Sequence, residues 1–186
     1  MVAQLSISRA VSQPQLVRQK LLHTLFFLIL SSLTASVGWS SELEVQIRPL
    51  SAIDNHYMTE QRKSVEDLAN RLGRRISGKT ARDLETLQYI VDAKWVAADD
   101  VQTQQALGIV FGDLLANELD FDWVVYRDRA GRSRALRYRD QDIFIFPITM
   151  LSRRISAGAD LSVSMLFDEQ VRKQTQRLPG ARWMPQ

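Results

Sequence analysis

The fold is decided by residues 107–139, which read LGIVFGDLLANELDFDWVVYRDRAGRSRALRYR. Up to Leu119 the apolar residues recur at the spacing of one helix face, which predicts a helix. The pattern then changes to that of extended structure, with strands expected at 122–127 and 134–139 around a turn at 129–132. One segment therefore combines a helix with a β-hairpin, which predicts an α+β fold.

Helical patterns also precede this segment. Apolar residues at helical spacing predict a helix over residues 59–76, with charges on its other face. Thr80 and Asp83 have the spacing of a capping box, which predicts the start of a second helix. The third helix, which leads into the fold-deciding segment, is expected to begin at Asp99, because a glutamine follows at the capping-box spacing.

The remaining elements follow the hairpin. A third strand is predicted over 143–146, and Pro147 ends it and opens a helix over 148–155 that Gly158 closes. A last amphipathic helix has one apolar face, formed by Val163, Leu166, Phe167 and Val171. The predicted architecture therefore has N-terminal helices packed on a small three-stranded antiparallel sheet, followed by two short helices.

Two glycines lie one turn apart in the third helix, at Gly108 and Gly112. Each glycine in a helix costs about 1 kcal/mol relative to alanine, so two on one face need a structural reason. We expect another backbone segment to approach the helix closely on this face.

Residues 1–40 are typical of a secretory signal peptide. Basic residues precede an apolar run, and small residues that permit cleavage follow it. The preferred cleavage lies after Ser40, with Gly38 and Ser36 as alternatives, and an uncleaved N-terminal anchor is the other interpretation. The polar lead is long for a signal peptide, which suggests Val17 as the true start.

Removal of this leader would place the protein in the periplasm or outside the cell. The mature chain is then predicted to have a lead-in over residues 41–58, a single α+β domain over 59–178 and a loose tail over 179–186. We expect no stable membrane span once the leader is removed.

The excess of basic residues belongs to the leader. The chain has 24 basic and 21 acidic residues, and the leader holds three of the basic ones and no acidic one. The mature chain is thus formally neutral, which argues against nucleic acid as a partner. Cysteine is absent, which excludes a lipid-anchoring cysteine, disulfides and thiolate chemistry.

Several motifs follow one another in an order that is shared with a bacterial family. They are Leu107-Gly108-x-x-x-Gly112, Trp123, Asp128 with Gly131, Leu136, and Pro147 with Arg153-Arg154-Ile155. In this order they resemble the bacterial domain-of-unknown-function family 3806, over roughly residues 80–168. That family is itself uncharacterised, so the resemblance implies a compact bacterial domain and no activity, cofactor or catalytic residue.

One segment matches the P-loop pattern letter for letter. Its key positions are Gly73, Gly78, Lys79 and Thr80. A P-loop binds phosphate only where it joins a buried strand to a helix, whereas the residues before this segment have helical periodicity. We therefore interpret the match as false and as the end of one helix followed by the cap of the next.

Other residue combinations predict neither catalysis nor metal binding. After removal of the leader His56 is the single histidine, and the Gly-x-Ser-x-Gly elbow of serine hydrolases is absent from the sequence. One histidine without cysteine leaves too few ligands for zinc. Glu118, Asp120 and Asp122 alternate, but they lack the glycine and the later glutamate of a calcium-binding EF-hand. We predict no catalytic residue, no metal and no cofactor.

The densest positive charge lies on the hairpin. The candidate binding residues are Arg132, Arg134, Arg137 and Arg139, with Trp123 on the adjacent strand. Guanidinium groups bind carboxylates and phosphates in a bidentate manner, so we expect the hairpin to dock an acidic protein or an anionic envelope component. The alternatives are a solvated strand face for the arginines and a core position for the tryptophan.

These observations favour an exported, non-catalytic binding module of the bacterial cell envelope. A second hypothesis is a periplasmic hydrolase with carboxylates such as Asp99, Asp100 or Asp122 as general acid and base. A third is an immunity-type protein that binds a toxin. A deep cleft lined by paired acids would favour the hydrolase, and a flat basic hairpin would favour the binding module.

Overall fold

The computed structural model describes residues 45–178, so the predictions for the leader, for Val17 as the start and for the tail from residue 179 lie outside the described residues. The elements, in chain order, are β1 (Gln46–Pro49), α1 (Ala52–Arg71), α2 (Thr80–Asp92), α3 (Val101–Leu119), β2 (Asp122–Asp128), β3 (Gly131–Arg137), β4 (Phe144–Ile145), α4 (Pro147–Ser156) and α5 (Val163–Thr175). Within this range no helix is both long and apolar enough to cross a membrane. The predicted α+β class is confirmed.

The sheet has four antiparallel strands in the order β1-β2-β3-β4, so the prediction of three strands is wrong. The extra strand, β1, comes from the stretch over residues 41–58 that was predicted to be a lead-in. It has only four residues, lies at the edge of the sheet and ends at Pro49, and such a short, mostly exposed strand carries no readable alternation. Its pairing partner is β2, with Arg48 opposite Val125.

Helix α1 begins at Ala52, seven residues earlier than the predicted start at residue 59. Ser51 caps it, and the Ser51 hydroxyl accepts from the Asp54 backbone while the Asp54 carboxylate accepts from the Ser51 backbone, which completes a capping box. In the first turn of α1 the buried position is occupied by Asp54, whereas a hydrophobic pattern would have an apolar residue there. The apolar periodicity therefore becomes visible only after the true start of the helix.

Helix α3 lies at the centre of the hydrophobic core, which also receives residues from each of the other helices and from β3 and β4. Eight of its apolar side chains are buried: Ala106, Leu107, Ile109, Val110, Phe111, Leu114, Leu115 and Leu119. The expected close approach of another backbone segment is confirmed at Gly108, whereas Gly112 contacts side chains. A Cβ on Gly108 would lie 2.6 Å from the Ile148 Cα of α4, and a Cβ on Gly112 would overlap the ring of Trp123.

Two predicted helix caps are wrong by one residue. The N-cap of α2 is Lys79 rather than Thr80, and its side chain makes no capping bond. The partner predicted for Thr80, Asp83, instead accepts from residues of the preceding loop. The N-cap of α3 is Asp100 rather than Asp99, and its carboxylate accepts from a backbone amide three residues on.

Candidate functional site

The helix-facing side of the sheet presents four arginines at one end. Side chains on directly opposite residues of paired strands point to the same face. Arg127 lies opposite Arg132, and Val125 lies opposite both Arg134 on one side and Arg48 on the other. We call Arg48, Arg127, Arg132 and Arg134 the arginine cluster.

One buried carboxylate, that of Asp54 in the first turn of α1, lies beneath this cluster with a relative exposure of 1%. Arg132 Nη2 lies 2.6 Å from Asp54 Oδ1, and Arg134 donates from Nε at 3.0 Å and forms an ion pair through Nη2 at 2.9 Å. The Ser51 hydroxyl donates to Oδ2 at 2.6 Å. Two guanidinium groups thus share one carboxylate.

The protonation of Asp54 follows from these contacts. Burial by itself would raise the pKa of the carboxyl, but hydrogen bonds from the Arg132 guanidinium and from Ser51 outweigh it and hold the pKa well below its usual range. The group is therefore ionised at every physiological pH, and it serves as a fixed counter-charge for β3.

Among the described residues, the other two members of the cluster have no such counter-charge. Arg48 donates to the Gln46 amide oxygen at 3.1 Å, and Arg127 makes no ion pair with any residue in the described range. In the part of the chain that the structure describes, four positive charges therefore face a single negative one. A cavity of about 180 Å³ opens between them, which we call the arginine cavity, and its lining consists of Gln46, Arg48, Pro49, Ser51, Asp54, Val125, Arg127 and Arg132.

A second, smaller recess lies on the other side of the Asp54 ion pairs. Its volume is about 160 Å³, and Tyr57, Arg132 and Arg134 contribute to its wall. The Arg134 guanidinium stacks over the Tyr57 ring at 4.2 Å from the ring centroid. That stacking fixes Arg134 in place, so it acts as a structural residue more than as a free binding group.

The two remaining predicted arginines do not join the cluster. Arg137 points to the opposite face of the sheet, where it donates to the backbone oxygens of Asp140 and Gln141 at 2.8 and 3.0 Å. Arg139 lies beyond β3, exposed, with Asp120 at 3.7 Å. Arg127, Arg132 and Arg134 of the hairpin share one face of the sheet, and Arg137 and Arg139 lie outside that group.

Trp123 has a core environment. Its ring packs against Gly112 of α3, and its indole N–H donates to Asp113 at 2.9 Å. The same carboxylate binds Arg62 of α1 through two hydrogen bonds of 2.7 and 2.8 Å. This network joins the sheet to two helices. Because the indole N–H already donates within it, that group is not available to a ligand.

The binding residues predicted from the sequence did not include Arg127 of the same hairpin. Sequence reasoning also missed three residues outside the hairpin that complete the site, which are Arg48, Ser51 and Asp54. Arg48 was missed because its strand was not recognised. The other two had a readable signal, because Ser51-x-x-Asp54 has the spacing of a capping box and Asp54 is the residue three positions after the cap. That signal marks the start of α1 but does not reveal the ion pairs with β3.

The P-loop-like segment joins two helices, as predicted, and not a strand to a helix. Its glycines, Gly73 and Gly78, both adopt the left-handed conformation with φ of 67° and 75°. The backbone amides of Ser77 and Gly78 donate to the Asp83 carboxylate at 2.8 and 2.7 Å. The amides that would receive a phosphate in a true P-loop are therefore already bound to a carboxylate, while Lys79 is exposed.

Asp122 lies far from the other two carboxylates considered for a hydrolase. Asp99 and Asp100 lie at the start of α3, and Asp122 lies just beyond its end. A helix of this length separates them by about 28 Å, whereas a pair of catalytic acids must flank one bond. Within residues 45–178 no group of three or more histidine, cysteine, aspartate or glutamate side chains is placed to hold a metal ion.

One segment of the chain matches a family of uncharacterised domains. Residues 83–167 match the model of DUF3806, a domain of unknown function. The resemblance read from the motifs is thus confirmed, and the DUF3806 match runs from the start of α2 into α5. It includes Arg127, Arg132 and Arg134, whereas Arg48 and Asp54 precede it.

The fold is similar to that of a crystal structure from Bacteroides thetaiotaomicron VPI-5482, determined at 1.50 Å resolution. The TM-score is 0.62 at 18% sequence identity, and the alignment covers 69% of this chain. It covers 48% of the Bacteroides chain, so the present chain spans about half the length of that protein. No curated protein matches the chain.

Proposed function

We propose that the protein is an exported, non-catalytic interaction module of the bacterial cell envelope that docks an acidic partner on its arginine cluster. The observation that carries the proposal is the ratio of charges at this end of the sheet, where four arginines face the single carboxylate of Asp54. Guanidinium groups bind carboxylates through two parallel hydrogen bonds, which gives both affinity and orientation.

The position of Arg127, which forms no ion pair within the described residues, is unfavourable in the free protein. Arg127 and Arg132 are directly opposite each other on paired strands, and like charges in that position are destabilising. Negative groups of a partner would relieve this repulsion while they gain hydrogen bonds. The arrangement is thus better suited to a bound state than to an empty one.

The envelope location rests on the leader pattern of residues 1–40. Once the leader is removed the chain is formally neutral, so attraction of an acidic partner would have to come from the local cluster and not from the net charge. Such local attraction is short-ranged and sensitive to ionic strength.

Asp54 does not have the properties that the hydrolase hypothesis needs. A general acid must hold its proton near neutral pH, whereas the pKa of this buried carboxyl is shifted down by its arginine partners. Together with the distance between the candidate acids at the two ends of α3, this favours binding over hydrolysis.

The proposal is tested by titration of a fluorescent poly-glutamate peptide with the mature protein. The double variant Arg48→Glu and Arg127→Glu should abolish binding, because it reverses both charges that lack a carboxylate partner. The control is Arg172→Glu with Lys173→Glu, which changes the net charge equally on the exposed surface of α5. Equal binding by the two double variants would contradict the proposal.

A further inference from the structure

We infer that the arginine cavity is a binding site for one carboxylate group, which an aspartate or glutamate side chain of the acidic partner contributes. This inference rests on the proposed function and makes it specific, since it selects one cavity and one chemical group. It differs from general attraction to a basic surface, in which any accessible arginine would contribute equally.

The polar wall of the cavity is suited to an oxyanion. Arg48, Arg127 and Arg132 all reach it, from three adjacent strands of the sheet. Arg132 uses Nη2 for Asp54, which leaves its other nitrogens free for a second acceptor. The three guanidinium groups line a cavity of about 180 Å³ and provide more donors than one carboxylate can use. Two of the guanidinium groups can therefore bind the same carboxylate at once.

The apolar part of the wall is suited to a side chain. Pro49 and Val125 line the same cavity, and Val125 is almost fully buried. An acidic side chain has a methylene stem that can pack against these two residues while its carboxylate meets the arginines. A free inorganic ion would leave this apolar wall without a partner.

Asp54 gives a reason to prefer a carboxylate over a phosphate. Its ionised carboxylate lines the cavity and repels any anion placed there. A phosphate carries up to two negative charges near neutral pH and is repelled more strongly than a carboxylate with one. The cavity therefore discriminates by charge as well as by the shape of the arginine forks.

The experiment uses N-acetylglutamate α-amide, a probe with a single carboxylate, and follows the arginine Nε–H signals of the mature protein by NMR. We expect the signals of Arg48, Arg127 and Arg132 to shift together with one dissociation constant. Arg127→Gln should weaken that constant about tenfold or more, since a hydrogen-bonded charge is lost. Arg48→Gln serves as a second variant, and neither side chain supports the fold through an ion pair within the described residues.

The matched control is Arg129→Gln, which removes the same charge two residues away at the exposed hairpin turn and does not line the cavity. It should change the constant less than twofold. If Arg129→Gln weakens binding as much as Arg127→Gln, or if inorganic phosphate binds more tightly than the carboxylate probe, the inference is wrong. Both of these results are compatible with binding of poly-glutamate, so they would contradict the inference alone. A failure of the unaltered protein to bind poly-glutamate would contradict the proposed function itself.

Discussion

Asp54 is the residue that connects the two halves of the site. It completes the capping box of α1 through Ser51 and at the same time neutralises part of the charge on β3 through Arg132 and Arg134. Removal of one partner from a buried ion pair is costly because it leaves the other charges unpaired. Asp54 therefore controls both the start of a helix and the position of two arginines.

Asp54→Asn should destabilise the fold by about 2–3 kcal/mol. This is at the low end of the loss expected when a buried ion pair is broken, because the Arg132 side chain is 43% exposed. Urea unfolding measures this change. Asp67→Asn, at an exposed position of the same helix, is the control and should lie within about 0.5 kcal/mol of the unchanged protein. A loss as small as that of the control would show that the ion pairs contribute little.

The same residue predicts a pH dependence. Since the pKa of Asp54 is depressed in the folded state, its stabilisation is complete above the unfolded-state value of about 4 and is lost as the pH falls below it. Urea unfolding between neutral pH and acid should therefore show a loss of stability that is reduced in Asp54→Asn. Parallel curves for the two proteins would contradict this assignment.

Among the elements, the loop between α1 and α2 is held by a single acidic side chain. Asp83 of α2 is fully buried and accepts from the amides of Ser77 and Gly78 and from the Ser77 hydroxyl at 2.9 Å. These bonds fix the loop on the helix that follows it. The Asp83 carboxylate thus accepts hydrogen bonds from loop amides that would bind a phosphate in a true P-loop.

Asp83→Ala should destabilise the fold by about 2 kcal/mol, because it leaves two backbone amides and a hydroxyl without their acceptor. Lys79→Ala in the same loop should have an effect near zero, since its side chain is exposed and makes no cap bond. Thermal unfolding of both variants provides the comparison. A larger loss for Lys79→Ala than for Asp83→Ala would contradict the assignment of Asp83 as the residue that holds this loop.

The packing of α3 against α4 predicts an unusual response to alanine. Gly108→Ala improves helix propensity by about 1 kcal/mol, yet its Cβ would lie 2.6 Å from the Ile148 Cα. Overpacking of this kind costs about 1–3 kcal/mol, so after the gain in helix propensity we expect a net destabilisation of up to about 2 kcal/mol in urea unfolding. Asn117→Ala on the exposed side of α3 is the control and should be neutral or slightly stabilising. Stabilisation by Gly108→Ala would contradict the close packing.

The hydrophobic pattern was sufficient for the elements that pack through apolar faces. The hairpin, α3 and the close approach at Gly108 follow from residue spacing because burial of apolar surface dominates there. The pattern failed where polar residues are buried or strands are short. The first turn of α1 was not predicted because Asp54 occupies its buried position. Strand β1 was not predicted because it is too short and too exposed to show alternation.

At the scale of the whole molecule, the candidate site depends on contacts that are distant in sequence. Arg132 and Asp54 are 78 residues apart, and sequence alone gives no sign that they meet. The hairpin arginines were visible as a group, but strand alternation and pairing with β1 decide which of them share a face. Arg48 joins the cluster only through that pairing.

The leader predicts where the whole protein is located. Fractionation of cells that express the untagged gene should yield a periplasmic species whose intact mass lacks about the first 40 residues. An unprocessed species in the cytosol would contradict export and would redirect the search for partners away from the envelope.

The most direct test of the central claim is the salt dependence of poly-glutamate binding to the mature, unaltered protein. Between about 0.1 M and 1 M salt the Debye length falls from about 10 Å to about 3 Å, so binding through exposed arginines must weaken steeply. We predict tight binding at the lower concentration and a large loss of affinity at the higher one. Affinity that is absent at low salt, or that does not change with salt, would contradict an arginine cluster that docks an acidic partner.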